Sequence, residues 1–304
     1  MKLIVIANSD KPQVKPALDQ WLPWIKERAE VLAIESNATP AMADSGADAI
    51  LVLGGDGTLL ATARALTRRS IPLMGVNFGR LGFLATFSPN RFRDHFELLL
   101  AKKLPVSGRH MLDVSVLAIG AQCDVRNTEE IESRRRFNAR ALNDAVITAG
   151  PPFHMIELEV GAEGEGGVRY SGDGLIISTA SGSTAYNVSA GGPIISPHVD
   201  AIVITPLCPQ SLSFRPVVIP SRTTVVIVGS RVNPGTTLFC DGQESTHLQV
   251  GERVVVRRAE QDVLLFENPE LRQWRNLADK LHWAVSPIGN RSADEGPVAP
   301  NAEL

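Results

Sequence analysis

Cysteine is scarce in this chain: three among 304 residues, Cys123, Cys208 and Cys240, far apart and without a C-x-x-C pair. That pattern excludes a disulfide framework or a zinc ribbon and suits a reducing compartment. Neither sign of charge dominates. Thirty Lys and Arg face 33 Asp and Glu, a net charge of −3, so there is no electrostatic footprint for a nucleic-acid partner. No run of about eighteen apolar residues occurs, so no membrane-spanning helix is expected. The apolar start at Leu3–Ala7 is too short for a signal peptide and lacks its cleavage site. No basic amphipathic segment offers an interfacial anchor either. A cytoplasmic protein without a membrane is therefore expected. At 304 residues and 44% hydrophobic content, the chain can build two domains with substantial cores.

The most informative stretch is Ile50-Leu51-Val52-Leu53-Gly54-Gly55-Asp56-Gly57-Thr58-Leu59-Leu60. Its apolar run predicts a strand buried on both faces, and Leu59, Leu60, Ala63 and Leu66 predict a helix after it. A strand that turns on glycines into a helix presents bare backbone N–H groups, which suit a phosphate. Asp56 would repel that phosphate unless it holds a metal ion or takes a proton from an attacking hydroxyl. The plainer alternative is a tight turn whose Asp caps the helix.

Further strands are expected at 3–7, 31–34 and 73–76, with helices over about 12–28 and 89–101. Strands alternating with helices predict a doubly wound α/β domain over residues 1–103, with ligands beyond the carboxyl ends of its strands. The loop from Asn77 to Phe83 falls at such an end, and its Phe78 reads either as packing or as a wall for an aromatic ligand. From Pro105 onward the segments are short and rich in Val and Ile: 111–119, 141–148, 153–160, 168–170, 174–179, 201–204, 223–228, 236–240, 252–257 and 262–266. These predict a β-sandwich-like second domain over 104–268. Residues 127–140, with Glu132 and three consecutive arginines, read as a solvated loop; a phosphate-donor role for Arg134, Arg135 or Arg136 is the weaker alternative. A helix is expected over 269–284, returning to the first domain, and a disordered tail over 285–304. The fold class expected is thus α/β plus all-β.

One segment of the second domain does not read as a plain strand. Ser171–Pro193 passes from Asp173 through a strand into Ser178-Thr179-Ala180-Ser181-Gly182-Ser183-Thr184-Ala185-Tyr186 and stops at Gly191-Gly192-Pro193. Small hydroxyl residues around one of only two tyrosines give up core volume. They make sense where hydroxyls and backbone approach a polar ligand such as a ribose or an amide. Tyr186 reads as a ring stacked on a base, or alternatively as a core tyrosine. Asn143-Asp144 offers an amide and a carboxylate side by side, suited to ribose hydroxyls or an adenine edge, though such a dipeptide is commonly a turn.

With these segments in hand, the chain resembles the NAD kinases. The match runs through Gly54–Thr58, Asn77–Phe83, Asn143-Asp144, Asp173–Pro193 and Asp241-Gly242-Gln243. The Gly-Gly-Asp-Gly turn is shared with diacylglycerol, sphingosine and phosphofructokinase-type kinases; the Gly-Ser-Thr-Ala-Tyr stretch with Ser-Ala-Gly-Gly-Pro is the specific part. The resemblance implies phosphorylation of the adenosine-ribose 2′-hydroxyl of NAD by ATP with Mg²⁺. Asp56 would be the base, and Gly54, Gly55, Gly57 and Thr58 the phosphate-donor loop. Gly57, Phe78, Asn143, Asp144, His154, Asp173, Thr184, Ala185, Tyr186, Ser189 and Gln243 would contact NAD, with Asp173 on the nicotinamide side. A homo-oligomer, dimer or tetramer, with the site completed across its interface, is also implied. The chain departs from many relatives in having Ala180 for proline, Asp144 for glutamate and Ser171 for arginine. A lipid or sphingoid kinase of the same superfamily and a non-catalytic nucleotide-binding regulator are the alternatives.

Overall fold

The computed structural model describes residues 1–66, 69–79, 82–120, 123–162, 165–271, 277–278 and 280–281. Strands β1 (Lys2–Ala7), β2 (Glu30–Glu35), β3 (Ala49–Gly54) and β4 (Leu73–Asn77) run parallel in the order β2-β1-β3-β4. Every residue of β3 is buried, as a strand covered on both faces requires. Three helices provide the cover: α1 (Val14–Lys26), α2 (Asp56–Ala65) and α3 (Phe92–Leu100). Leu3, Val5, Leu51 and Leu53 pack with Trp21 and Ile25 of α1 and Phe92 and Phe96 of α3. The alternate residues Ile4, Ile6, Ile50 and Val52 pack with Leu59, Leu60 and Ala63 of α2. Helices on both faces make this half doubly wound.

Two strands from far along the chain complete this sheet. β18 (Val263–Phe266) joins β4 in parallel, and β5 (Val106–Arg109) pairs antiparallel with β18. The sequence placed segment 262–266 among the strands of the second domain. Its four residues read alike in either setting, because Leu265 pairs with Leu73 through the main chain and leaves no mark on the pattern.

The remaining strands form two antiparallel six-stranded sheets. One has the order β10-β9-β14-β17-β6-β7, built from β6 (Leu112–Leu117), β7 (Arg135–Ala141), β9 (Ile156–Ala162), β10 (Val168–Gly172), β14 (Val225–Arg231) and β17 (Arg253–Arg258). The other has the order β13-β12-β11-β8-β15-β16, from β8 (Asp144–Thr148), β11 (Gly174–Thr179), β12 (Ala201–Leu207), β13 (Val217–Pro220), β15 (Thr237–Cys240) and β16 (Glu244–His247). Leu112, Val114, Leu158, Val254 and Val256 of the first meet Ile147, Leu175, Ile177, Ile202 and Leu238 of the second in one core. This is face-to-face sheet packing.

Residues 127–140 are not a solvated loop. Asn127 caps α4 (Thr128–Arg134), its Oδ1 accepting from the N–H groups of Glu129 and Glu130. The chain then enters β7 at the edge of its sheet. The arginine triplet hid this strand because only Ala139 and Ala141 of β7 are buried. Arg136 is not free for a phosphate. It forks onto buried Glu252 and donates to Thr246 Oγ1 at 2.7 Å and to the His247 carbonyl at 2.6 Å. Residues 1–268 form one compact unit and 269–304 a second. The helix expected over 269–284 and the disordered tail expected over 285–304 lie largely outside the described residues. Among those described, no helix is long and apolar enough to cross a membrane.

Candidate functional site

In the first sheet the strand order reverses between β1 and β3, and ligands of doubly wound sheets bind at such a switch point. The two loops leaving these strands meet there: Asn8, just after β1, donates from Nδ2 to Thr58 Oγ1 of α2 at 2.9 Å. The β4 loop joins them through Phe78 N–H, which donates to the Gly54 carbonyl at 2.8 Å. Asn77 Oδ1 shapes that loop by accepting from Gly79 N–H at 2.8 Å.

Asp56 opens α2 but does not cap it. Its carboxylate turns to the β4 loop and accepts from Phe83 N–H and Ala85 N–H, each at 2.9 Å, with Leu84 N–H farther off at 3.4 Å. A Cβ on Gly82 would sit 1.8 Å from Asp56 Oδ1, so the approach of loop to carboxylate requires glycine. The second glycine-spaced loop therefore acts as a cradle for the one acid on the first.

A second cluster is built on Asp241, which has positive φ in the turn between β15 and β16. Its side chain is fully buried and accepts from the N–H groups of Leu142, Asn143 and Asp144 at 2.9, 2.7 and 3.2 Å. Arg64 of α2 lies 3.7 Å from Asp241 Oδ2 and donates to Gln243 Oε1 at 2.8 Å. Gln243 Nε2 in turn donates to the Gly57 carbonyl at 3.2 Å. Asp144 is buried beside Asp241, and its carboxyl accepts from Tyr186 N–H. Burial first, and the Asp241 charge second, push the Asp144 carboxyl up to about 7 against that N–H. Asp241 is also raised by burial, but three N–H donors and Arg64 oppose the rise. Burial thus bears harder on the Asp144 carboxyl than on Asp241, whose charged form the three N–H donors and Arg64 favour.

The hydroxyl-rich segment folds as a short 3₁₀ turn, Ser181–Thr184, followed by α5 (Tyr186–Ser189). Most of its hydroxyls serve the loop itself and not a ligand. Thr179 Oγ1 donates to the Leu142 carbonyl and accepts from Gly182 N–H; Ser183 Oγ donates to the Ala180 carbonyl. Buried Asn187 bridges Ser183 and Pro193 and accepts from Thr205. A Cβ on Gly182 would lie 2.1 Å from the Asn143 carbonyl oxygen, which fixes why glycine brings this turn onto Asn143. Outward-facing groups remain at Thr184, Ala185, Tyr186 and Ser189. Tyr186 is 46% exposed; the core tyrosine of this domain is Tyr170, whose hydroxyl reaches the carbonyls of Gly174 and Leu207.

A chain of contacts through Arg64 and Asp241 thus links Gly57, Gln243, Asn143, Asp144 and Tyr186, with Gly54, Gly55, Asp56 and Thr58 on the adjoining turn. Three expected side chains stand elsewhere. Phe78 packs against Trp21, ring centroids 5.8 Å apart, with the core formed by α1 and α3. Asp173 is exposed and takes the Cys208 thiol on its carboxylate. It precedes β11, whereas the Ser181–Tyr186 turn follows it, a separation of about 20 Å for a six-residue strand. His154 is exposed beside the start of β9, where Ile156 pairs with Gly172, so it lies at the Asp173 end. The sequence reading missed Arg64. Its one signal was position, seven residues after Gly57 and hence on the same helix face. Among the described residues no group of three or more His, Cys, Asp or Glu is arranged to hold a metal.

The comparisons with known proteins agree with this geometry. The family model of the ATP-NAD kinase N-terminal domain matches residues 5–104, and that of the C-terminal domain matches residues 142–267. The NAD kinase of Rhodopirellula baltica is 35% identical over 283 residues, covering 93% of this chain and 87% of its own. That of Syntrophobacter fumaroxidans is 38% identical over 236 residues, covering 78% and 79%. Among solved structures, yeast NADH kinase complexed with NADH superposes with a TM-score of 0.80 at 23% identity, over 94% of this chain and 89% of that one, a likeness of fold. An NAD kinase from Archaeoglobus fulgidus in complex with ATP gives 0.70 at 25% identity, over 93% and 99%. Two domain models in the order of the two halves and full-length relatives above 30% identity place this chain in the NAD kinase family.

Proposed function

We propose that a dinucleotide and its phosphoryl donor meet at the Gly54–Thr58 turn. The chain is an NAD kinase: it transfers the terminal phosphoryl group of ATP to the 2′-hydroxyl of the adenosine ribose of NAD, forming NADP and ADP. The observation that carries the assignment of roles is the chain of contacts from Gly57 through Gln243 and Arg64 to Asp241, Asn143, Asp144 and Tyr186. It joins the phosphate-suited turn to a patch suited to a nucleoside.

In this reading Asn143 and Asp144 take the ribose and adenine edge, and Tyr186, with Thr184, Ala185 and Ser189 beside it, lines the dinucleotide pocket. Asp56 accepts the 2′-hydroxyl proton as the oxygen attacks the terminal phosphorus and the bond to ADP breaks. Its carboxylate offers about four acceptor positions. The Phe83 and Ala85 amides fill two at full strength, so a substrate hydroxyl has room to bind. A Mg²⁺ ion fits this site as one carried mainly on the donor phosphates, with Asp56 as the single acid on the turn. Bound there, it would neutralise charge on the transferring group.

Asp173, His154 and Phe78 remain candidate NAD contacts under a condition. Asp173 and His154, at the far end of β11 beside the exposed Phe153 and Met155, serve the nicotinamide side of a dinucleotide held by a second copy of the chain, which makes the enzyme a homo-oligomer. Phe78 is the weakest of the three, being committed to Trp21. We divide the molecule into the donor half, 1–103 with β18 and β5, and the NAD half, the two-sheet sandwich. A cytoplasmic setting accords with three unpaired cysteines. The test is NADP formation from NAD with ATP and Mg²⁺. A diacylglycerol or sphingoid base phosphorylated in place of NAD, or NAD bound without turnover, would overturn the reading.

A further inference from the structure

Lys11 lies in the loop between β1 and α1, outside every motif described above. Its ammonium sits 2.9 Å from where a Cβ on Gly55 would be and 3.1 Å from where one on Gly79 would be. Any side chain at either position would displace it. The two glycines therefore hold open a slot between the β3 turn and the β4 loop, and the cation fills it. Among the described residues no carboxylate forms an ion pair with Lys11, although Asp10 is its neighbour in sequence and Asp56 is on the same turn.

Beside the slot, sharing Gly79 with it, lies a cleft of about 990 Å³ lined by Gln13, Trp21, Phe78, Gly79, Asn90 and Arg93. Lys11 is not part of the cleft wall, but it stands across that glycine from the aromatic, amide and cationic groups of the cleft. The cleft has room for a nucleoside. An unpaired ammonium between glycine-bared backbone on one side and such a cleft on the other matches a polyanion entering from the cleft. It also offsets the repulsion that Asp56 would exert on a phosphate at the turn.

We propose that Lys11 binds the phosphates of the donor nucleotide, with the donor's nucleoside lying in the Trp21–Arg93 cleft; this rests on the kinase reading above. Lys11→Met and Lys11→Arg test it, through KM values for ATP and for NAD and through the melting shift that MgATP produces without NAD. Loss of the ammonium should raise the KM for ATP about ten- to hundredfold, the worth of a charge-assisted hydrogen bond. It should remove most of the MgATP-induced melting shift while leaving the KM for NAD and the ligand-free melting temperature unchanged. Lys11→Arg should recover part of both ATP readouts, and it carries the test should Lys11→Met not fold. An unaltered KM for ATP and an unaltered MgATP shift would overturn the proposal. So would equal rises in the KM values for ATP and NAD, which would make Lys11 a prop for the glycine turn. Failure of the wild-type protein to form NADP from NAD and ATP would instead overturn the kinase reading itself.

Discussion

Arg64 of α2 and Asp241 of the β15–β16 turn lie 3.7 Å apart, side chains 12% and 0% exposed, and form a charged contact that ties the helix behind the Gly54–Thr58 turn to the carboxylate holding the Asn143-Asp144 segment. Removing one member of a buried pair strands the other charge. Arg64→Met should therefore lower stability by about 3 kcal/mol and raise the KM for NAD, because the same arginine holds Gln243. Thermal melting alongside steady-state kinetics checks both. Unchanged melting would show that the three amide donors alone satisfy Asp241.

Asp56→Asn is the direct probe of the base. Turnover should fall by roughly 10²–10⁴. From the sequence alone, this change would be expected to leave folding nearly intact, but the cradle alters that expectation. Asn would turn an NH₂ toward either the Phe83 or the Ala85 N–H, and a buried donor without an acceptor costs about 1–3 kcal/mol. Melting should drop by that much, and the rate loss should persist in fully folded protein well below the midpoint. Near-wild-type turnover would remove Asp56 from the mechanism.

Asp144 gives a pH signature. The folded carboxyl is at about 7 and the ordinary value is 3.8. Between these pH values the folded protein holds a proton that the unfolded chain has released, so stability falls as pH rises from about 4 to about 7. Asp144→Asn keeps an acceptor for Tyr186 N–H and removes the charge. The variant should melt higher than wild type at pH 8, with the difference shrinking toward pH 5. A constant difference across that range would contradict the assignment.

Tyr186, nearly half exposed, separates ligand contact from packing. Tyr186→Ala should raise the KM for NAD with little loss of melting temperature. A core tyrosine would cost roughly 3–5 kcal/mol on truncation, and a loss of that size with an unchanged KM would return Tyr186 to the core.

Those elements that bury side chains on a repeating pattern could be read from the sequence. β3 and its turn into α2, and β11 at 174–179, lie where the apolar runs place them. The missed strands were those that bury few side chains. β13 and β16 are edge strands with mostly exposed residues, and β7 presents arginines outward. For the site, residue types were legible but not their partners. The hydroxyls of Thr179 and Ser183 look the same in sequence whether they face a ribose or a neighbouring carbonyl. Arg64 shows no motif because its partners, Asp241 and Gln243, lie about 180 residues away.

The position of β18 bears on how the protein is made. The sheet that begins with the second residue of the chain gains its neighbour for β4 only at Val263–Phe266, and β5, already made, pairs with β18 rather than with β4. Phe87 pairs early with the Val76 end of the β4 edge, but during synthesis the Leu73 end waits for more than half the polypeptide, an exposed edge being a hazard for wrong pairing. A shortened chain ending near residue 104 would carry the whole glycine turn and still lack the strand that closes its sheet.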